Sequence, residues 1–204
     1  MSDRLTEATF LREVANHQMT IQRDDGLYRN IRFKQPGTGN LYFDITTWPG
    51  YLCFSGDAGC FVFSRIDDMF EFFRRGDISG ALTINPCYWS EKLQAVDRCS
   101  GVERYSEAKF REVIANILDE CEASVELREA VEDEVLTYAD DEHEGVRAAY
   151  NFKHGKFQFE DIWEYDFKEY TWRFLWCCYA VAWAVRQYDA REVAKVGEGV
   201  SRAC

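Results

Sequence analysis

Between Leu41 and Phe73 the chain reads LYFDITTWPGYLCFSGDAGCFVFSRIDDMFEFF, and its changes of period leave few folds open. Leu41, Phe43 and Ile45 alternate with Tyr42, Asp44 and Thr46, the period of an extended strand with one buried face. Trp48-Pro49-Gly50 interrupts that run with turn chemistry, and Tyr51–Ser55 resumes it. Gly56-Asp57-Ala58-Gly59 is a tight reversal, and Cys60–Ser64 is a third strand. From Ile66 the apolar spacing turns helical, with Ile66, Met69, Phe70 and Phe73 on one face. Ser64 and Asp67-Asp68 suit the start of that helix, because their oxygens complement its free N–H groups.

Upstream, residues 6–16 predict a short helix with Phe10, Leu11 and Val14 inward. Met19–Arg23 and Leu27–Phe33 flank Asp24-Asp25-Gly26, a hairpin signal. The expected fold is α+β: an antiparallel sheet of about five strands within residues 19–64, packed by helices, followed by a helical C-terminal half. Pro36-Gly37-Thr38-Gly39 reads as a plain loop, since no Lys-Ser/Thr pair follows it and no helix starts there. Leu82 and Ile84 predict a short edge strand, and Tyr88–Val96 a helix started by Pro86. Ser106 is the expected cap of a helix that buries Phe110, Val113, Ile114 and Ile117. A last helix is expected over Phe167–Arg191, ahead of a frayed tail at Val193–Cys204. Its twelve-residue apolar centre, Phe174–Val185, spans about 18 Å, short of a ~30 Å hydrocarbon core, so it predicts a core helix and no membrane span. Composition shifts near residue 100, which predicts an α+β part over 1–100 and a helical, acidic part over 101–204.

The run DITTWPGYLCFSGDAGCFVFSRIDDMFEFFR resembles a family of small proteins common in tailed phages and prophages. Asn16-His17-Gln18-Met19, Asp24-Asp25-Gly26, Arg32-Phe33 and Asn85-Pro86-Cys87-Tyr88-Trp89-Ser90-Glu91-Lys92-Leu93 extend the similarity over residues 10–98. The resemblance implies a phage–host setting; it transfers no catalytic residue.

Charge narrows the function classes. The net charge is −12, and residues 119–144 hold twelve carboxylates against Arg128 alone. Such a surface repels phosphates, so direct binding to nucleic acid is not expected. Asp119, Glu122, Glu126, Glu129 and Asp133 are spaced to form one stripe on a single helix, with Asp140 and Asp141 beyond it. Taken as helix throughout, residues 119–144 would carry about one net charge per 3.5 Å, close to the phosphate density of a DNA strand, about one per 3.4 Å. Against this, Ser124 could cap a new helix and divide the stripe. A plain solvated face is the other reading of these carboxylates.

The aromatic residues carry a second expectation. Trp48, Tyr51, Phe54, Phe61 and Phe63 either fill a core or, with Tyr88 and Trp89, form an apolar contact patch; Trp48, Tyr51, Tyr88 and Trp89 are the candidate partner-binding residues. Self-association through that face, as a homodimer, is a further form. The eight cysteines include no C-x-x-C pair and read as buried thiols of a reducing cytosol, and the first residues show no signal peptide. His17, His143 and His154 form no triad or close-spaced metal motif, so no catalytic residue, metal or cofactor is expected. The leading expectation is a phage-encoded inhibitor, anti-CRISPR-like, whose acidic segment occupies the nucleic-acid site of a host protein or ribonucleoprotein such as a CRISPR effector. The alternative is a small enzyme or a metabolite- or metal-binding domain, using a cleft between the sheet and the C-terminal helices.

Overall fold

The computed structural model describes residues 5–74 and 81–201. In chain order the elements are α1 (Glu7–Val14), β1 (Gln18–Asp25), β2 (Tyr28–Lys34), β3 (Phe43–Trp48), β4 (Tyr51–Gly56), β5 (Gly59–Ser64), α2 (Met69–Arg74), α3 (Pro86–Ser90) and β6 (Leu93–Ala95). They continue with β7 (Glu103–Tyr105), α4 (Glu107–Glu120), α5 (Val125–Glu134), α6 (Glu142–Asn151), β8 (Lys153–His154), β9 (Phe157–Gln158), β10 (Lys168–Tyr170) and α7 (Trp172–Ser201). The fold is α+β, and it divides into two compact units. The first gathers Met1–Val102 and Tyr170–Cys204; the second is Glu103–Glu169. Composition places the division near residue 100 but sends everything after it to one helical part. The chain instead returns, and α7 belongs with the sheet.

In the first unit β1–β6 form one antiparallel meander in sequence order. Alternation puts Ile31, Phe33, Phe43, Ile45, Leu52, Phe54, Phe61 and Phe63 on one face, each fully buried. Thus Phe54, Phe61 and Phe63 are core residues. Glycine is required at Gly56, where a Cβ would lie 2.3 Å from the Tyr42 carbonyl oxygen and 2.7 Å from the Phe43 Cα. The β4–β5 turn can therefore press against β3, where the Asp57 amide donates to the Tyr42 carbonyl at 3.0 Å.

α7 closes this core. Every residue from Phe174 to Val185 is buried or half-buried, as an apolar helix without a polar face requires. Its rings interleave with those of the sheet: Trp176 meets Phe43 at 5.5 Å, Phe174 meets Phe61 at 5.6 Å and Trp183 meets Phe33 at 5.3 Å. These side chains fill the space between the sheet and α7. α7 starts at Trp172, five residues later than its periodicity predicts, where the Thr171 hydroxyl accepts from the Phe174 amide. It runs on to Ser201, so the tail expected from Val193 is helical as far as that residue, and residues 202–204 lie outside the described residues.

Two local expectations fail next to β5. The edge strand is Leu93–Ala95, paired through Val62–Ala95 and Phe63–Leu93, and Leu82–Ile84 is irregular. The Leu82 amide donates to the Glu7 carboxylate at 2.7 Å, so it is satisfied outside any ladder. The helix expected over Tyr88–Val96 ends at Ser90, because the chain peels away to pair: the Lys92 carbonyl accepts from the Ser64 amide at 2.9 Å. The expected stop of α2 at Arg74-Arg75-Gly76-Asp77 lies, beyond Arg74, outside the described residues.

The second unit has its own core of Phe110, Ile114, Val131, Val135, Ala149, Ile162 and Phe167. Its helices start at hydroxyl or carboxylate caps: Ser106 for α4, Ser124 for α5 and Asp141 for α6. Gly145 lets α6 sit close to its neighbours, since a Cβ there would lie 3.1 Å from the Tyr138 carbonyl oxygen and 3.3 Å from the Phe110 ring.

Candidate functional site

The second unit holds the whole charge imbalance. It contains twenty carboxylates against eight lysines and arginines, a net of −12; the first unit contains sixteen of each. Among the described residues, Glu107, Glu112, Asp119, Glu132 and Glu144 are the carboxylates of the second unit that form ion pairs.

The stripe expected on one helix is divided. Ser124 caps a new helix, and Glu122, in the turn before it, takes a left-handed φ of 49°. Asp119 ends up on α4, bound to Arg128 at 2.8 Å, and so contributes less free charge than its position implies. Glu126, Glu129 and Asp133 do share α5 and all are exposed. They lie about 5 Å apart along its axis, counting 1.5 Å per residue. The Glu126 backbone N–H and the Ser124 side chain hold the Glu126 carboxyl below its ordinary value, which keeps it charged at the N-terminus of α5. Leu127, Val131 and Val135 are buried and anchor the acidic segment, whereas Val125 is exposed. Asp140 is exposed beside α6; Asp141 caps that helix by accepting from the Glu144 amide at 3.0 Å.

The four aromatic candidates do not form one patch. Trp48 and Tyr51 stack at 5.2 Å across β3 and β4, opposite the buried face. Tyr88 is exposed and lies under the Lys92 ammonium, 4.4 Å from the ring centre. Trp89 is a correction: it is 5% exposed and packs edge-on against Phe73 at 4.8 Å, so it is core and offers no contact surface.

Sequence reasoning missed the aromatic surface of the second unit, where Tyr138, Tyr150, Trp163 and Tyr165 are all exposed. Tyr150 and Trp163 meet at 5.4 Å, edge to face. Their signal is the flanking charge, as in Asp161-Ile162-Trp163-Glu164-Tyr165-Asp166: aromatic rings set between carboxylates cannot all turn inward.

Tyr105 steadies the turn that leads into α6, its hydroxyl donating to the Ala139 carbonyl at 2.7 Å. Burial first, then the carboxylates of Glu107, Glu142 and Asp141, push its phenol up to about 12. A folded value above the unfolded one of about 10 means that the stability it confers is complete below pH ~10 and is lost as pH rises through the folded value. Tyr105→Phe should cost about 1 kcal/mol at neutral pH. The gap between variant and parent should narrow above pH ~10 in paired urea melts; a constant gap would refute this role.

The thiols correct the expectation of buried groups: Cys177 and Cys178 are buried, but Cys60, Cys87, Cys99 and Cys121 are exposed. The seven cysteines described are free. Burial and the neighbouring Cys60 push the Cys53 thiol up to about 12, and burial raises Cys177 and Cys178 as well, so these three are held protonated. His17 meets the Leu41 carbonyl through Nε2 at 2.9 Å, next to the left-handed φ of Leu41. His143 sits exposed on α6. Among the described residues no group of three or more His, Cys, Asp or Glu side chains is placed to hold a metal ion, and no helix is long and apolar enough to cross a membrane. No family model, curated protein or solved structure matches the chain.

Proposed function

We propose that this chain is a non-catalytic binding protein whose acidic unit docks on a basic, nucleic-acid-binding surface of a partner protein or ribonucleoprotein. The supporting observation is the segregation of charge: a balanced sheet unit, and a second unit with a net of −12 whose carboxylates are largely free of ion pairs. A solvated surface needs no such segregation, whereas a decoy for phosphates does. The phage–host setting that the sequence resemblance implies would make a host nucleic-acid-processing complex, of the CRISPR-effector kind, that partner.

The experiment is capture of partners from bacterial lysate at low and at high salt, followed by charge reversal. The captured complex should be retained at low salt and released by salt or by competing DNA. Glu126→Lys with Glu129→Lys and Asp133→Lys should weaken its binding by at least about 100-fold, because attraction becomes repulsion. The melting temperature of the variant checks that the fold is kept. Binding unchanged by the three reversals would refute the reading.

A second reading has one feature in its favour. In the first unit a hollow of about 310 Å³ is lined by Phe72, Tyr88 and Trp89, with Arg65 and Asn85 as polar groups. That size lies at the lower end of small-molecule sites. A reproducible thermal shift with a nucleotide would favour this reading over the docking one.

A further inference from the structure

We infer that the aromatic surface beside α6 is where the acidic unit grips its partner, by taking an arginine side chain of an extended basic segment between the Trp163 indole and the carboxylates at the start of α6. The inference rests on the docking reading above and names the chemistry of the contact. Ile162 is fully buried and anchors the turn, while Trp163, next in sequence, is 56% exposed and stands beside Tyr150 at 57%. The indole divides two hollows. One, of about 530 Å³, lies between Trp163, Tyr165 and the start of α6 at Asp141 and Glu142; the other, of about 440 Å³, lies between Trp163 and Tyr150. His143 and Val146 border both.

Half-exposed rings beside carboxylates suit one occupant, and in the larger hollow Asp141 and Glu142 stand with Trp163 and Tyr165. A guanidinium stacks on an indole or phenol face and can at the same time reach a carboxylate in two-pronged fashion, which an ammonium does less well. Asp141 and Glu142 are exposed carboxylates of the larger hollow with no ion pair among the described residues, Glu164 is exposed next to Trp163 in sequence, and Arg147, which lines the smaller hollow, is already engaged by Glu144. A nucleic acid would meet a unit of net charge −12. A second copy of the chain, joined about a two-fold axis, would bring these same carboxylates face to face. A basic segment avoids both conflicts.

The test uses the full chain and a synthetic peptide of alternating arginine and glycine, followed by calorimetric titration at low salt. The peptide should bind the parent protein; Trp163→Ala and Tyr150→Ala should each weaken binding about tenfold, and Trp163→Phe, which keeps a ring, distinctly less. Lysine in place of arginine should bind more weakly. No detectable binding to the parent, or equal binding by Trp163→Ala, overturns the inference. So does light scattering that finds a dimer which Trp163→Ala dissociates, because a second copy would then cover the surface. Failure here is separable from failure of the docking reading, which is tested on the captured complex with the α5 reversals: peptide binding indifferent to Trp163 removes only the grip assigned to α6.

Discussion

Asp68→Ala should cost about 3–5 kcal/mol of stability, a large share of what a domain possesses. Its partner Arg29 lies on β2 with 8% of its side chain accessible, and the two are joined by two parallel hydrogen bonds of 2.9 and 3.0 Å. Above the guanidinium lie the rings of Phe70 at 4.6 Å and Tyr188 at 5.5 Å, so α2 and α7 both pack on this cation. Deleting the carboxylate strands a charge that water cannot reach; it also removes the acceptor of the Phe70 amide at 2.9 Å. Arg29→Met combined with Asp68→Ala should cost less than the two single changes summed, because it leaves no charge behind. Burial by itself would raise the Asp68 carboxyl, but the Arg29 guanidinium and the Phe70 amide outweigh it and the group titrates below its ordinary value. Stability from the pair is therefore present above the unfolded value near pH 4 and lost as pH falls through the folded one. Urea denaturation of parent and variant at neutral and acid pH measures both effects. A single-variant cost under about 1 kcal/mol would show that the pair is solvated like a surface bridge.

Phe43→Ala should cost a similar amount, about 3–5 kcal/mol. Phe43 is fully buried and touches Phe33 at 4.8 Å, Phe54 at 5.6 Å, Trp176 at 5.5 Å and Trp183 at 6.3 Å. It thus joins β2, β3, β4 and α7 at one point. Neighbouring rings are too rigid to collapse into the space that alanine leaves, so the void persists. Phe43→Leu should lose much less, and both differences can be read from denaturant midpoints at constant slope. A loss for alanine no larger than for leucine would mean the core relaxes around the void.

How much of this was legible follows from which forces act locally. β2–β5 could be read because alternation repeats over six or seven residues and each buries one face, and β1, which buries none of its residues fully, because the Asp24-Asp25-Gly26 turn signal marks its hairpin. β6 could not: three residues carry no period, and its pairing is decided by β5, thirty residues earlier. The division of the acidic stripe was legible in Ser124, whose cap competes with a continuous helix, yet only the structure weighs that cap against the helix it interrupts. Trp89 was misplaced because its neighbour Tyr88 points the other way on a helix of barely one turn. Trp163 was overlooked because an isolated ring among carboxylates has no periodicity to find. α7 was readable as a core helix, but not as the partner of a sheet that ends some eighty residues before it.

That long return sets an order of events during synthesis. The sheet is complete in sequence by Ala95, yet α7, whose rings meet Phe33, Phe43 and Phe61 on the sheet's buried face, is absent until residues 172–185 have been made. At the crossing, the Thr171 amide donates to the Val102 carbonyl at 2.8 Å and its hydroxyl to the Gly101 carbonyl at 3.0 Å, a clasp that can only close late. Meanwhile residues 103–169, with a core of their own, are already available to fold. A nascent chain would therefore display its acidic unit while eight apolar side chains of the sheet still wait for α7, and that interval is when this protein is most exposed to aggregation and to chaperones.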